Sequence, residues 1–163
     1  RRLREDAEIT VYEMAEHVSY ANCGLPYFVS DVISERQDLL LQTPQTLHQR
    51  FRLNVFVNHK VMEINRQTKT VSVINLKTNQ RFDDSYDYLV IATGAKPRSL
   101  TIPGFARAFE LRNVTDADAI KDAISSAKAE TAAILGVNCP LKFSFLSKRS
   151  DPVSFKSPKA FAI

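Results

Sequence analysis

The sequence predicts a mixed α/β fold with an antiparallel β-meander inserted, and three observations carry that expectation. The β-branched run Ile9 to Glu13 and the wholly apolar run Tyr88 to Ala92 have the pattern of short strands buried in a parallel sheet. Between them lie three strand-like runs, Val55 to Ile64, Thr70 to Leu76 and Arg81 to Tyr88, separated by short polar turns, as in a meander. Behind them, Ile120, Ala123, Ile124 and Ala127 recur at helical spacing before another buried-strand pattern, Thr131 to Gly136, and strands that alternate with helices indicate α/β layering.

Taken in order, Arg1 to Asp6 reads as the polar end of a helix. The strand that follows ends near Glu13, where apolar β-branched residues give way to Met14-Ala15-Glu16. Thr43-Pro44 is a helix start, because Thr caps well and Pro suits the first helical position. Leu47 and Phe51 then share a face at i,i+4 spacing. Asn65-Arg66-Gln67 and Lys77-Thr78-Asn79 supply the meander's turns. Thr115-Asp116-Ala117-Asp118 resembles a capping box with Asp in the Glu/Gln position, opening a helix that runs to about Glu130. Beyond Gly136, Asn138-Cys139-Pro140, Asp151-Pro152 and Ser157-Pro158 break any long element.

Composition bounds the class. The chain has 163 residues, of which 44% are hydrophobic and 25% charged, ordinary values for one globular domain with or without a tail. No apolar stretch approaches the ~18 residues that span a bilayer. Two cysteines, Cys23 and Cys139, are too few for a disulfide framework or a Cys-rich zinc site. The chain begins Arg1-Arg2-Leu3-Arg4, with no initiator Met and no apolar signal core, which reads as a truncation or an internal boundary. The net charge of +4 resides in residues 137–163, and the rest holds equal numbers of basic and acidic residues. A nucleic-acid-binding body would carry its own basic patch, so nucleic acid is not an expected partner, and the tail charges are read as solvated.

Chemistry is sought first at Ser19-Tyr20-Ala21-Asn22-Cys23-Gly24-Leu25-Pro26-Tyr27. A cysteine where a helix begins meets unpaired N–H groups, which favour the thiolate; the alternative is that Cys23 is a small buried apolar residue. Glu13, at the carboxyl end of a strand, stands where a doubly wound sheet binds the ribose of an adenine dinucleotide; the alternative is a solvated acid. Only Gly24, Gly94, Gly104 and Gly136 are glycines, and no G-x-G-x-x-G occurs. Ala92-Thr93-Gly94-Ala95 closes the second buried strand at the same face. His17, His48 and His59 show no metal-ligand spacing, and no Ser/His/Asp set is assignable, so no metal is expected.

These residues resemble a known family. The Ser19–Tyr27 segment is similar to the active-site segment of coenzyme A disulfide reductases and related NADH oxidases, within the FAD-dependent pyridine nucleotide–disulfide oxidoreductases. The likeness extends through Val11-Tyr12-Glu13, Leu41-Gln42-Thr43-Pro44, the meander, Tyr86 to Ala95, Ile102-Pro103-Gly104 and Leu111-Arg112-Asn113-Val114, covering residues 1 to about 136. It implies that Cys23 is the redox nucleophile. The two-cysteine members place a second Cys about five positions on, where this chain has Phe28, so a single-Cys cycle is implied, through a mixed disulfide with coenzyme A or a sulfenate. By the same likeness Ser19 and Asn22 contact the coenzyme A substrate, and Arg2 faces its phosphates with a guanidinium fork. Glu13 holds the FAD ribose, Val61 meets the adenine through its backbone, and Thr93-Gly94 passes the flavin nucleotide.

The implied architecture is an incomplete Rossmann-like FAD-binding domain with the meander inserted. Residues 1–114 form a partial FAD-binding domain without its first strand and Gly-rich loop, 115–136 begin an NAD(P)-binding domain, and 137–163 are an irregular tail without the family pattern. The implied activity of the parent is NAD(P)H-dependent reduction of coenzyme A disulfide, or of related persulfide or oxygen substrates, by a cytoplasmic homodimer. The alternative for this chain is an inactive remnant or a half-domain that binds nucleotide weakly.

Overall fold

The computed structural model describes residues 3–97, 101, 103–105, 108–127 and 134. The expected strand at 131–136 (apart from Ile134) and the tail at 137–163 lie outside the described residues. The chain divides into two compact units. The first takes residues 3–21 and 37–97; the second takes residues 22–36 with the described part of the chain beyond 98.

In the first unit, β1 (Thr10–Glu13) runs parallel to β4 (Asn54–Val57), with Thr10 opposite Asn54 and Glu13 opposite Val57. A second pair, β2 (Ser19–Tyr20) and β3 (Leu40–Gln42), is antiparallel, with Ser19 opposite Gln42. The helix α2 (Pro44–Phe51) starts as its sequence dictates. Thr46 N–H donates to Thr43 Oγ1 at 3.2 Å, and Thr43 N–H donates to Thr46 Oγ1 at 2.9 Å. The expected apolar face of α2 stays partly open, with Leu47 half-buried and Phe51 exposed.

The meander is β5 (His59–Asn65), β6 (Thr70–Asn75) and β7 (Arg81–Ser85), antiparallel throughout. Its two turns share one design. Asn65 Oδ1 accepts from the N–H of Gln67 and Thr68, and Asn75 Oδ1 accepts from those of Lys77 and Thr78. Lys69 and Asn79 then adopt positive φ to bring the chain back, a conformation Asn tolerates well. Val71 and Val73 of β6 are buried beneath the ribbon.

Four sequence expectations are corrected. The run Val55 to Ile64 is two strands, because Asn58 turns into the left-handed region (φ 57°) and hands the chain from the parallel pair to the meander. Residues 88–92 form no strand: no described strand lies beside them to complete their hydrogen bonds, and Tyr88 and Val90 are 91% and 85% exposed. No helix forms over the described part of residues 3–9; Arg4 pairs instead with Asp6 at 2.8 Å, two positions on, a spacing that does not face across a helix. The last helix begins earlier than its pattern indicates.

In the second unit a 3-10 turn, Asn22–Gly24, leads into the five-residue helix α1 (Leu25–Val29). The long helix is α3 (Val114–Ala127). Its capping box is Asn113 with Asp116: Asp116 N–H donates to Asn113 Oδ1 at 2.9 Å, and Asn113 N–H donates to Asp116 Oδ2 at 3.1 Å. The box lies two residues ahead of the expected Thr115–Asp118 because burial of Val114 and Ala117 draws that turn into the helix.

Candidate functional site

Glu13 is half-buried at the carboxyl end of β1. Its Oε1 accepts from Ala15 N–H at 2.7 Å, and Asn58 N–H donates to Ala15 O at 3.1 Å. The chain thus ties together the carboxyl ends of both parallel strands, the edge where such sheets meet nucleotides. Glu13 Oε2 makes no hydrogen bond among the described residues. One carboxylate oxygen anchored and one presented is an acceptor that fits a ribose hydroxyl. Glu13 thus fits the ribose of an adenine dinucleotide.

Next to this edge β1 carries Tyr12, whose hydroxyl donates to Asp84 Oδ2 of β7 at 2.7 Å. Its ring stacks on Phe56 at 5.6 Å between centroids and lies near His59 and Phe82, and His59 also meets Phe56. Burial pushes the Tyr12 hydroxyl well above its ordinary range, and the hydrogen bond and the charge of Asp84 push it the same way. His59 Nδ1 lies 2.7 Å from Val57 O, so this histidine serves the core. Sequence reasoning missed the cluster, because its members are spread over four strands.

The other expected residues of this unit are Ser19, Val61, Thr93 and Gly94. Ser19 is half-buried in β2, and Val61 lies on β5 opposite Val73. Thr93 and Gly94 are exposed, and Gly94 has φ 68°, a turn that favours glycine. An open groove of about 380 Å³ runs between α2 and β4, lined among others by His48, Leu53 and Phe56; none of the expected site residues lines it.

The second unit holds Cys23 and Asn22. Cys23 is an exposed free thiol, which sets aside the buried-filler alternative. Asn22 is exposed beside it, while Gly24 and Leu25 are buried, so the turn is anchored from behind with its thiol outward. Because α1 is only five residues long, few aligned peptide dipoles stand behind the sulfur; accessibility, more than the helix field expected from the sequence, distinguishes it. Phe28 is buried, with Lys121 Nζ 4.2 Å from its ring centroid. The position that would hold a second cysteine is thus filled by core packing. Arg2 lies outside the described residues.

A profile of the family described as pyridine nucleotide-disulphide oxidoreductase matches residues 1–137. The chain belongs to this family. Its members are FAD-dependent and use NAD(P)H, and no helix among the described residues is long and apolar enough to cross a membrane. Among curated relatives, the coenzyme A disulfide reductase of Staphylococcus haemolyticus is 41% identical over 138 residues, which are 83% of this chain and 31% of that protein. The chain therefore spans about a third of the length of the curated relatives it matches. Among solved structures, the reduced CoADR-RHD of Bacillus anthracis superposes with a TM-score of 0.74 at 45% identity, covering 78% of this chain and 23% of that one. The NAD-dependent persulfide reductase of A. fulgidus gives 0.72 at 32% identity, over 77% and 24% of the two chains. The water-forming NADH oxidase of Lactobacillus brevis gives 0.68 at 33%, over 78% and 28%. All three share the mixed α/β architecture described above.

Proposed function

We propose that this chain carries the redox-cysteine segment of a flavin-dependent oxidoreductase that reduces coenzyme A disulfide. The observation that carries this reading is Cys23 itself, an exposed thiol on a turn backed by buried Gly24 and Leu25, in a chain whose curated relatives are coenzyme A disulfide reductases. The Cys23 thiolate attacks one sulfur of coenzyme A disulfide. The S–S bond breaks, one coenzyme A thiolate leaves, and a Cys23–coenzyme A mixed disulfide remains. When bound, FAD supplies the two electrons, taken from NAD(P)H, that return the mixed disulfide to two thiols. When FAD is bound, Glu13 would hold its ribose, the backbone at Val61 would meet its adenine, and Thr93-Gly94 would pass its flavin nucleotide end. Asn22 and Ser19 would bind the coenzyme A substrate, and Arg2 is the residue assigned to its phosphates. A persulfide or oxygen substrate would meet the same sulfur. The domain assignment proposed is 1–114 for FAD and 115–136 for the start of the nicotinamide-binding part. The complete parent is read as a cytoplasmic homodimer.

The exposed run at 88–92 favours a second reading, in which the chain is inactive and keeps at most partial nucleotide binding. One experiment separates the two. The 163-residue chain, carrying Cys139→Ser so that Cys23 is its one thiol, is incubated with coenzyme A disulfide and FAD, then analysed by intact mass and visible absorbance. The first reading expects one coenzyme A adduct on the chain, absent in Cys23→Ser. An adduct that persists in Cys23→Ser, or no adduct at all, removes Cys23 from the mechanism. Bound FAD without an adduct favours the second reading.

A further inference from the structure

The helix that follows Cys23 is too short to hold itself. α1 has five residues, and an isolated helix of that length is unstable in water. What orders it lies within the second unit. Leu25, Phe28 and Val29 are buried on its inner side, as are Val114 and Ala117 of α3, against which it packs. Lys121 of α3 lies with Nζ 4.2 Å from the Phe28 ring centroid and 2.6 Å from Asp31 Oδ1. Three positions earlier on α3, Asp118 receives Arg36 Nε at 2.9 and 3.1 Å. The two pairs sit on one face of α3 and grip the segment on the far side of α1 from the cysteine.

The grip reaches α1 because the turn after it is wound back onto it. Asp31 N–H donates to Phe28 O at 3.2 Å, and the N–H groups of Val32 and Ile33 donate to Tyr27 O at 2.9 and 3.1 Å. Asp31 itself holds φ 60°. At its other end, α1 continues without a break from the turn that carries Cys23. A cation held on both a ring face and a carboxylate thus contacts α1 and the turn after it, while Cys23 lies on the turn before it.

We propose that Lys121 is a positioning residue for Cys23, acting through Phe28 and Asp31 on α1. The inference rests on the reading of Cys23 as the redox nucleophile and adds what aims it. Both attack on a disulfide and alkylation by iodoacetamide are in-line displacements. A small electrophile can turn to meet an exposed sulfur from many directions, whereas the bulky coenzyme A disulfide is held by the protein and needs the sulfur aimed at it, so loss of aim and loss of fold give different signatures.

The test uses the full chain in a Cys139→Ser background. Rate constants are measured for Cys23 with coenzyme A disulfide and, separately, with iodoacetamide, alongside the melting temperature. Lys121→Met is expected to slow the disulfide reaction by about three- to tenfold while leaving alkylation within about twofold. Lys121→Arg, which keeps the cation, is expected to restore most of the rate. Asp31→Asn keeps a residue that tolerates positive φ and removes only the charge; it is expected to fall between the two and guards against a Lys121→Met chain that fails to fold. Equal slowing of both reactions, or unchanged disulfide exchange in both Lys121→Met and Asp31→Asn beside a reactive unsubstituted Cys23, overturns the proposal alone. An unsubstituted chain whose Cys23 exchanges no faster than free cysteine overturns the redox reading, and this proposal with it.

Discussion

Tyr12 shows what a single side chain contributes in the first unit. A part-buried hydrogen bond to a carboxylate, such as that to Asp84, contributes about 1–3 kcal/mol, so Tyr12→Phe is expected to lower the unfolding free energy by about 1–2 kcal/mol near neutral pH. The pH dependence has a definite sign. The folded chain holds the Tyr12 proton above the ordinary tyrosine range, near ~10, where the unfolded chain has already released it. The contribution is complete below about pH 10 and declines as pH rises beyond that. Urea unfolding at about pH 8 and about pH 11 checks this: the alkaline decline should be smaller in Tyr12→Phe than in the parent. The place of Cys23 on a turn ahead of a helix was legible from the sequence because its neighbours Asn22 and Gly24 adjoin it in the chain. The Tyr12–Asp84 bond was not, because 72 positions separate its partners and no local pattern connects them. Lys121 was hidden for the same reason.

Among the elements, those whose signals are local followed the sequence. Thr43-Pro44 opens α2 as expected, and Thr43→Ala, by removing a reciprocal cap, is expected to cost about 1 kcal/mol, read as a lower midpoint in denaturant with an unchanged slope. The two meander turns were likewise legible, since an Asn side chain needs only its own next residues to close an Asx turn. Elements governed by partners were misplaced. The apolar pattern at 55–64 has no mark where Asn58 switches sheets, because both halves are strand-like and only pairing with β1 or β6 distinguishes them. The start of α3 moved because burial of Val114 outweighed the capping preference of Thr115, and Asp118, no longer needed at the helix start, pairs with Arg36.

At the scale of the whole molecule, the longest exposed apolar run among the described residues is 88–92, including Ile91 at 69% exposure. An unpaired strand-forming segment invites association between copies. Val90→Lys is expected to reduce concentration-dependent light scattering of the chain without shifting its melting temperature; unchanged scattering would place the sticky surface elsewhere. The α/β class was readable from alternating patterns, whereas the pairing of this run was not, since apolarity signals a wish for neighbours and not their presence. The meander offers a contrast. Each of its tips is sealed by an asparagine's own neighbours, so the hairpins close without help from the remainder of the chain. Natural variation could lengthen or trim such fingers in steps of two residues and keep every inward side chain inward, while an odd step would turn Val71 and Val73 outward. The ribbon is thus open to length change in even steps, and its parity is what keeps Val71 and Val73 buried.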